Sequence, residues 1–223
     1  MLPGVVRLAM PPTLVTVAVG VLLGVALLGA AFDRRSLALV AVVAAVPDLD
    51  AVLSLFVRGA TNAALHNVFV PLAAAVALYA DTRREKSWLR ARHGWYGVRV
   101  AWVAVAVYAV AGVGMDLFNV ESAAVFYPVS NRYLSIVGKL VLSTQEGVVQ
   151  TYVELGDGWL AAVSQGTTES RHIPTWVNPT PGTSNPPGAD RTVRLVDSGW
   201  QLAVVAAAAA AVPARFAVAR RDR

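Results

Sequence analysis

Long apolar runs alternate with short polar segments along this chain, and five of the runs are long enough to test as membrane-crossing helices. They are Leu8–Phe32, Ser36–Val57, Gly59–Ala80, Val100–Phe118 and Gly199–Ala219. A membrane helix needs about 20 mostly apolar residues and satisfies its backbone hydrogen bonds internally. The pattern therefore predicts an all-α membrane helix bundle of about five transmembrane helices. A very apolar soluble core is disfavoured, because five such runs would leave too little polar surface.

The polar segment 119–198 separates the fourth and fifth runs and is predicted to be an extracytoplasmic loop within a single membrane domain, residues 1–223. Inside it, Lys139–Leu155 alternates apolar and polar residues around a turn at Glu146-Gly147, which predicts a β-hairpin. Gly166–Arg191 is rich in Gly, Pro, Ser, Thr and Asn, which predicts an irregular connection.

Composition agrees with a membrane location. The chain is 56% hydrophobic and 15% charged, with a mean hydropathy of +0.55, whereas soluble domains are about 45–50% apolar and about 25% charged. It contains no cysteine, which excludes a disulfide scaffold, a thiolate nucleophile and a Cys-ligated metal site. The net charge is +5, but the basic residues lie between the apolar runs, where membrane topology accounts for them. No nucleic-acid partner is predicted.

The distribution of Lys and Arg predicts the orientation in the membrane. With the N-terminus outside, the cytoplasmic segments are Asp33–Arg35, Asp81–Arg99 and Arg215–Arg223, and they hold 12 of the 19 basic residues. Loops on the cytoplasmic side are enriched in Lys and Arg. We therefore predict a multi-pass protein of the cell membrane with an outside N-terminus and a cytoplasmic C-terminus.

Four ionisable residues lie inside the apolar runs: Asp48, Asp50, His66 and Asp116. A charged residue at the centre of a membrane helix costs about 2.5–3.5 kcal/mol on insertion scales, so such a residue is a functional-site hypothesis by default. Under the predicted orientation all four fall in the outer half of the bilayer. This agreement is independent of the topology, which rests on Lys and Arg alone.

Pro47 gives this group a local geometry. Proline in a helix interior removes a hydrogen bond and clashes with the preceding turn, so it predicts a break at Val46-Pro47. In a straight helix Asp48 and Asp50 would point about 200° apart. At a break both can face the bundle interior, and irregular backbone at this depth predicts a wet pocket.

Three carboxylates and one imidazole in a single cavity require a counter-ion. Carboxylate and imidazole ligands suit divalent zinc, manganese or magnesium. We therefore predict a divalent metal ion bound by Asp48, Asp50, His66 and Asp116, with zinc or manganese favoured over magnesium. The alternative is that the aspartates are interfacial or neutral and that His66 is a packed core histidine.

Three stretches carry a resemblance to a known family: Ala45–Asp50 (AVPDLD), Leu65–Leu72 (LHNVFVPL) and Gly114–Arg132 (GMDLFNVESAAVFYPVSNR). In order and spacing they resemble the inner-membrane metal-dependent hydrolases associated with LexA regulation. That family is distantly similar to zinc-dependent phospholipases C and single-strand nucleases. The resemblance implies a membrane-embedded, metal-dependent hydrolase with a phosphoester substrate, such as a lipid head group.

On this resemblance, Asp48, Asp50, His66 and Asp116 fall on metal-site positions of the family. The chain also departs from the family pattern: the second motif holds one histidine where the family has two, and Gly112 stands where the family has another. The family's histidine near the N-terminus is absent too.

Two functions follow from these observations. In the first, the site is a hydrolase that opens to the outside, with Asp50 and Asp48 as the catalytic carboxylates, a metal-bound water as nucleophile and Asp50 as the acceptor of its proton. Asn67, Asn119 or Glu121 would complete the ligand set of the metal or orient the substrate. In the second, the chain is a non-catalytic integral membrane protein with a structural ion site or a partner-binding outer loop. A transporter is disfavoured, because there is no inverted repeat.

Overall fold

The computed structural model describes residues 12–118, 122–136, 140–145, 147–150, 163–181 and 186–221. Within these ranges the chain is mostly helical, with two small sheets. The elements are α1 Thr13–Leu27, α2 Arg34–Ala45, α3 Asp50–Leu53, α4 Phe69–Arg83, α5 Trp88–Val107, α6 Met115–Leu117, β1 Arg132–Ser135, β2 Leu140–Ser143, β3 Gly147–Gln150, β4 Val163–Thr167 and α7 Gly199–Arg221. Short 3-10 turns occupy Gly29–Ala31 and Pro47–Leu49, and a π-helical stretch, Tyr108–Gly114, joins α5 to α6.

Two helices are long and apolar enough to cross a membrane. One is the helical stretch Trp88–Leu117 of 30 residues, which contains α5, the π-helical stretch and α6; the other is Gly199–Arg220 of 22 residues in α7. A third span is possible if α2 and Pro47–Leu53, which are bent by 43° relative to each other, form one broken span. The prediction of five spans is therefore not confirmed within the described residues.

The third apolar run, Gly59–Ala80, differs most from its prediction. The helix begins only at Phe69 and continues to Arg83, while the residues before it are irregular. Asn62 has a φ of 53°, and its backbone carbonyl accepts a hydrogen bond from Ala124 N at 2.8 Å. Polar backbone groups in this stretch thus form hydrogen bonds with the segment between α6 and α7, instead of continuing a helix. We call the described residues of this segment, which corresponds to the predicted loop 119–198, the outer segment.

The predicted cytoplasmic loop Asp81–Arg99 also differs, because most of it is helical. Only a few residues separate α4 from α5, and the Ser87 side chain caps α5 by accepting from Arg90 N at 3.1 Å. α5 is kinked at Gly94, whose φ is 62°. The density of Lys and Arg predicted a loop, but most of these residues form the end of α4 and the capped, kinked first half of α5.

Small residues bring the helices close together in the core. A Cβ at Gly20 of α1 would stand 2.6 Å from Ala44 Cβ of α2 and 3.1 Å from a Val107 methyl of α5. Gly24, one turn further along α1, approaches Val40 in the same way. This small-x-x-x-small spacing is the usual device for close helix packing in membranes.

The segment between α6 and α7 carries both sheets. Strand β1 pairs antiparallel with β4, and β2 pairs antiparallel with β3, from Leu140 opposite Gln150 to Ser143 opposite Gly147. The β2–β3 pair lies within the stretch predicted as a hairpin, of which Lys139, Glu146 and residues 151–155 fall outside the described residues. Ala124, Tyr133 and Ile173 of this outer segment pack on Ala63.

Candidate functional site

One imidazole lies at the meeting point of three carboxylates. His66 Nδ1 is 2.7 Å from Asp50 Oδ2, while Nε2 is 3.0 Å from Asp116 Oδ2 and 3.5 Å from Asp48 Oδ1. The four side chains come from three separate parts of the chain. The structure thus brings together every residue that the sequence analysis assigned to the metal site.

The break at Pro47 explains how two aspartates that are two residues apart reach the same ring. Helix α2 ends at Ala45, a 3-10 turn over Pro47–Leu49 follows, and α3 begins at Asp50. The two helical pieces are bent by 43°. An unbroken helix would separate the two side-chain directions by about 200°, so the bend is what makes a shared site possible.

Asp116 reaches the site through a second irregularity, the π-helical stretch Tyr108–Gly114. Gly112 within it lies against the first break, since a Cβ at Gly112 would stand 2.6 Å from Pro47 Cγ. Single π-helical turns inside α-helices often mark functional sites. The two distorted helices therefore contact each other where they deliver their acidic residues.

The segment before α4 holds His66 through buried hydrogen bonds. Asp50 Oδ2 accepts from Ala63 N at 3.2 Å as well as from the ring, and Tyr108 Oη donates to Leu65 O at 2.8 Å. Asn67 Oδ1 accepts from the first backbone N–H groups of α4. Asn67 thus satisfies two N–H groups at the start of α4 and holds the turn that follows His66, while its predicted role in the site stays a prediction.

The site is strongly buried and strongly acidic. The exposed fraction is 1% for His66, 0% for Asp50 and 3% for Asp116, and 13% for the Asp48 side chain. No Lys or Arg in the described ranges forms an ion pair with these carboxylates. Even with a protonated imidazole, three ionised carboxylates would leave a net negative charge in a medium that penalises it.

Several carboxylate oxygens at the site are buried and have no hydrogen-bond partner among the described residues. They are Asp48 Oδ2, Asp50 Oδ1 and Asp116 Oδ2. Asp116 Oδ2 lies near Nε2 but is not aligned for a hydrogen bond with it. Buried polar groups are nearly always paired, so these oxygens indicate that the site binds something that supplies positive charge or protons.

The ring orientation suits a metal ion. In the tautomer in which Nδ1–H donates to Asp50, the Nε2 lone pair points to the side of Asp48 and Asp116, as in the carboxylate–histidine–metal arrangement of many proteins. Ligand atoms around a tetrahedral zinc ion are about 3.4 Å apart when each bond is about 2.1 Å. The separations of 3.0 Å and 3.5 Å from Nε2 to the two carboxylates are close to this value.

The fit is not complete. In the described part of the chain, no three His, Asp or Glu side chains are already arranged to hold a metal ion. To accept one between them, the Asp116 carboxylate would have to move slightly away from Nε2. The donor chemistry and the unpaired oxygens thus fit a divalent cation, whereas the exact side-chain positions do not.

Two of the other predicted site residues, Asn119 and Glu121, lie outside the described residues. The sequence analysis missed Tyr108 and Tyr133. Tyr133 Oη donates to Thr61 O at 2.7 Å, and burial, with a smaller contribution from the charge on Asp50, raises the pKa of the Tyr133 phenol. No motif or spacing in the sequence marks either tyrosine.

One cavity adjoins the site, and a second lies beside Tyr133. A groove of about 460 Å³ has Asp48 in its wall. A smaller polar cavity of about 190 Å³ is lined by Arg58, Arg171, His172, Thr61 and Tyr133, among others. Burial lowers the pKa of His172. Only the first cavity includes a carboxylate of the site.

Comparisons with models of known protein families, with curated proteins and with solved structures gave no match. The resemblance to the LexA-associated hydrolases therefore stays a prediction from three short motifs.

Proposed function

We propose that this chain is a membrane-embedded, metal-dependent hydrolase, with His66, Asp48 and Asp116 as the metal ligands. The single observation that carries the proposal is the pair of carboxylates on the Nε2 side of His66, Asp48 and Asp116, each of which has a buried oxygen without a hydrogen-bond partner among the described residues. Structural carboxylates in a core find hydrogen-bond donors. These oxygens have none among the described residues, and two of the three carboxylates lie on the Nε2 side of the ring.

The geometry favours a division of roles among the four predicted ligands. Asp50 contacts Nδ1, on the other side of the ring from Asp48 and Asp116. It is therefore a positioning residue that fixes the tautomer and the orientation of His66, as outer carboxylates do in metal sites. Its second partner, Ala63 N, anchors Asp50 itself to the backbone.

A bound divalent ion would supply an acidified water and polarise the scissile bond. Asp48 is the residue placed to accept the proton of that water, because it is the least buried of the three carboxylates and borders the groove. This assigns to Asp48 the general-base role for which Asp50 was predicted first. The phosphoester substrate class rests on the family resemblance.

We also propose that the site opens to the outside of a multi-pass membrane protein whose C-terminus is cytoplasmic. The support is that residues 122–135, which follow the helix of Asp116, pack against the segment that carries His66. The predicted outer loop and the site thus lie at the same end of the molecule. On the predicted orientation, the segments that hold the other 12 basic residues would lie on the cytoplasmic side.

The second candidate is a non-catalytic role, and one observation favours it. His66 Nε2 lies directly beside Asp116, so the ring can serve as the cation of a purely structural cluster. In that case an added metal ion would not change the stability of the protein. The two candidates therefore differ in metal uptake and in its effect on unfolding.

The test is metal loading of detergent-purified protein after chelation. We expect the wild type to take up one zinc or manganese ion per chain and to unfold at a higher temperature with the ion, because ligands that bind only the folded state stabilise it. Asp116→Asn should lose both effects. The matched control, Asp190→Asn, changes an exposed aspartate far along the outer segment and should behave as the wild type.

Asp116→Asn is informative in the metal-free protein as well. The substitution removes a negative charge from the acidic cluster, so it should not lower the metal-free unfolding temperature. Equal metal content in wild type and Asp116→Asn would overturn the proposal. Uptake without any metal-dependent cleavage of chromogenic phosphomonoesters or phosphodiesters would overturn the hydrolase and leave a bound ion with a structural role, whereas no uptake would favour the metal-free cluster.

A further inference from the structure

The groove beside Asp48 has an unusual wall for a water-filled cleft. It is formed by the start of α1, by the bend between α2 and α3, and by two stretches of the outer segment. Its lining residues are Pro12, Thr13, Leu14, Ala45, Asp48, Leu49, Ala51, Val52, Pro174, Thr175, Trp176, Val177, Thr192, Val193, Arg194 and Leu195. Eleven of these sixteen are apolar, and the two charged ones are Asp48 and Arg194.

The apolar side chains of this wall are substantially exposed. Leu49, Trp176, Val193 and Leu195 each expose more than half of their surface, between 55% and 61%. Each Å² of apolar surface removed from water stabilises by roughly 25 cal/mol, and large exposed apolar patches mark interaction sites. The wall is therefore suited to an apolar occupant.

The surroundings of the groove indicate which kind of occupant fits. Part of its wall belongs to apolar helices, including the bent pair that is a candidate broken span, so we expect the groove to adjoin the lipid-facing surface. A peptide or a second protein chain would need partners for its backbone N–H and C=O groups. A mostly apolar wall offers few, whereas a hydrocarbon chain needs none.

The two charged residues add polarity at defined places. Arg194 supplies a positive charge for an anionic head group, and guanidinium is well suited to phosphate. Asp48 connects the groove to His66 through the 3.5 Å contact with Nε2. The volume of about 460 Å³ lies within the roughly 300–1,000 Å³ of typical ligand sites.

We propose that this groove binds one hydrocarbon chain of an anionic phospholipid, with the phosphate bound by Arg194. The inference deepens the proposed function, on which it rests for the lipid to be a substrate. What it adds is a binding site for a lipid phosphoester, with the hydrocarbon chain in the groove. Binding of the lipid itself does not require the metal.

Photolabelling tests the binding step. The protein is reconstituted in phosphatidylcholine vesicles that contain a trace of phosphatidylglycerol with a photoactivatable acyl chain, and the adducts are mapped by mass spectrometry. We expect adducts in residues 174–177 and 192–195. Val52→Trp fills the groove and should reduce these adducts at least about fivefold, since a ligand cannot share the occupied volume.

The matched control is Val42→Trp, which places the same side chain at an exposed position of α2 outside the groove lining. It should label as the wild type does. Val193→Trp fills the groove from the outer segment and keeps the test valid if Val52→Trp fails to fold. Arg194→Gln should reduce labelling by phosphatidylglycerol more than labelling by a phosphatidylcholine probe.

Three results would overturn the inference. One is equal labelling of the groove in Val52→Trp, Val193→Trp and Val42→Trp. Another is labelling that appears only after residues 1–11 are deleted, because the chain itself would then be the occupant. The third is preserved selectivity for phosphatidylglycerol in Arg194→Gln, which would remove the assigned role of that residue.

The same preparation separates this inference from the proposed function. Asp116→Asn should lose metal uptake and keep the groove adducts. Groove labelling in a wild type that takes up no metal would overturn the hydrolase and leave the groove as a lipid-binding site. Metal uptake without groove labelling would leave the hydrolase and overturn the phospholipid assignment.

Discussion

Pro47 and Pro213 both lie within apolar runs of the chain, and only Pro47 breaks its helix. At Pro47 the helix α2 stops and the chain turns by 43°. Pro213 lies inside α7, which continues from Gly199 to Arg221. Each proline removes one backbone donor and clashes with the preceding turn, so the difference must come from the surroundings.

The surroundings of Pro47 stabilise the bent form. Its ring is buried against Gly112, and beyond it Asp50 finds His66 Nδ1 and Ala63 N as partners. Around Pro213 the helix is mostly exposed within the molecule. Beyond it, Arg215 donates to Gly29 O at 3.3 Å, which holds α7 along α1. A proline permits a break, and the partners available on the far side decide whether it occurs.

The largest effect is expected when the hydrogen-bonding side chain that follows Pro47, Asp50, is removed. Asp50→Ala leaves His66 Nδ1 and Ala63 N buried without their acceptor, and the loss of one member of a buried pair costs about 3–5 kcal/mol. We expect a fall of that size in the free energy of unfolding, measured by denaturant titration in detergent and followed by circular dichroism.

Asp190→Ala is the control, because this aspartate is exposed, and its effect should stay within about 0.5 kcal/mol. A loss below about 1 kcal/mol for Asp50→Ala would mean that its contacts do not stabilise the bent form. The explanation of the break at Pro47 would then be wrong.

The next effect concerns the contact between the two distorted helices. A Cβ at Gly112 would stand 2.6 Å from Pro47 Cγ and 3.3 Å from Cδ, so Gly112→Ala overpacks the contact. We expect destabilisation by about 1–3 kcal/mol. The same change at Gly188, where an added Cβ meets nothing within 4 Å, should have little effect.

A double-mutant cycle identifies the contact. If the added methyl group of Gly112→Ala clashes with the Pro47 ring, the loss in free energy of unfolding that it causes should be smaller by more than about 0.5 kcal/mol in a Pro47→Ala background. Additive effects in the cycle would show that the strain lies elsewhere.

Part of this arrangement could be predicted from the sequence. A proline and an ionisable residue each cost free energy inside an apolar helix, so both stand out in the sequence. On this basis Asp48, Asp50, His66 and Asp116 were selected without any structure. The structure brings these side chains together, while their metal-binding role stays a prediction. The long helix α7 also follows its apolar run closely.

Other features depend on contacts between distant residues and leave no local signal. The backbone bond between Asn62 and Ala124, which keeps the third apolar run from being helical at its start, joins residues of two different elements. The division of roles between Asp50 and Asp48 depends on which ring nitrogen each carboxylate faces. The lipid groove combines α1, α2 and two stretches of the outer segment.

A smaller effect is expected from a substitution of Pro213 in the unbroken helix α7. Pro213→Ala restores a backbone donor in α7 without disturbing a bend. One additional helical hydrogen bond contributes about 1 kcal/mol, so we expect a stabilisation of that size or less in the same denaturant titration. Pro47→Ala should not stabilise, because its ring fills buried space against Gly112. Equal stabilisation by both substitutions would remove the distinction between the two prolines.

The smallest effect concerns the start of the bent helix and depends on pH. Asp33 caps α2 by accepting from Ser36 N at 2.8 Å, and this hydrogen bond holds the pKa of the Asp33 carboxyl below its ordinary value of 3.8. A carboxyl whose pKa is lower in the folded state stabilises the fold above its unfolded pKa and loses that contribution as the pH falls through the folded pKa. Asp33→Ala should therefore cost about 0.5 kcal/mol at pH 7, at the low end for a capping residue because the site is largely solvated. The difference in free energy of unfolding from the wild type should narrow as the pH falls below about 4.

α7 has no acidic residue in its first turn, so a deuterium-exchange comparison should show acid-induced fraying at the start of α2 and none at the start of α7. Equal fraying of both helices would assign the pH effect to a source other than the Asp33 cap.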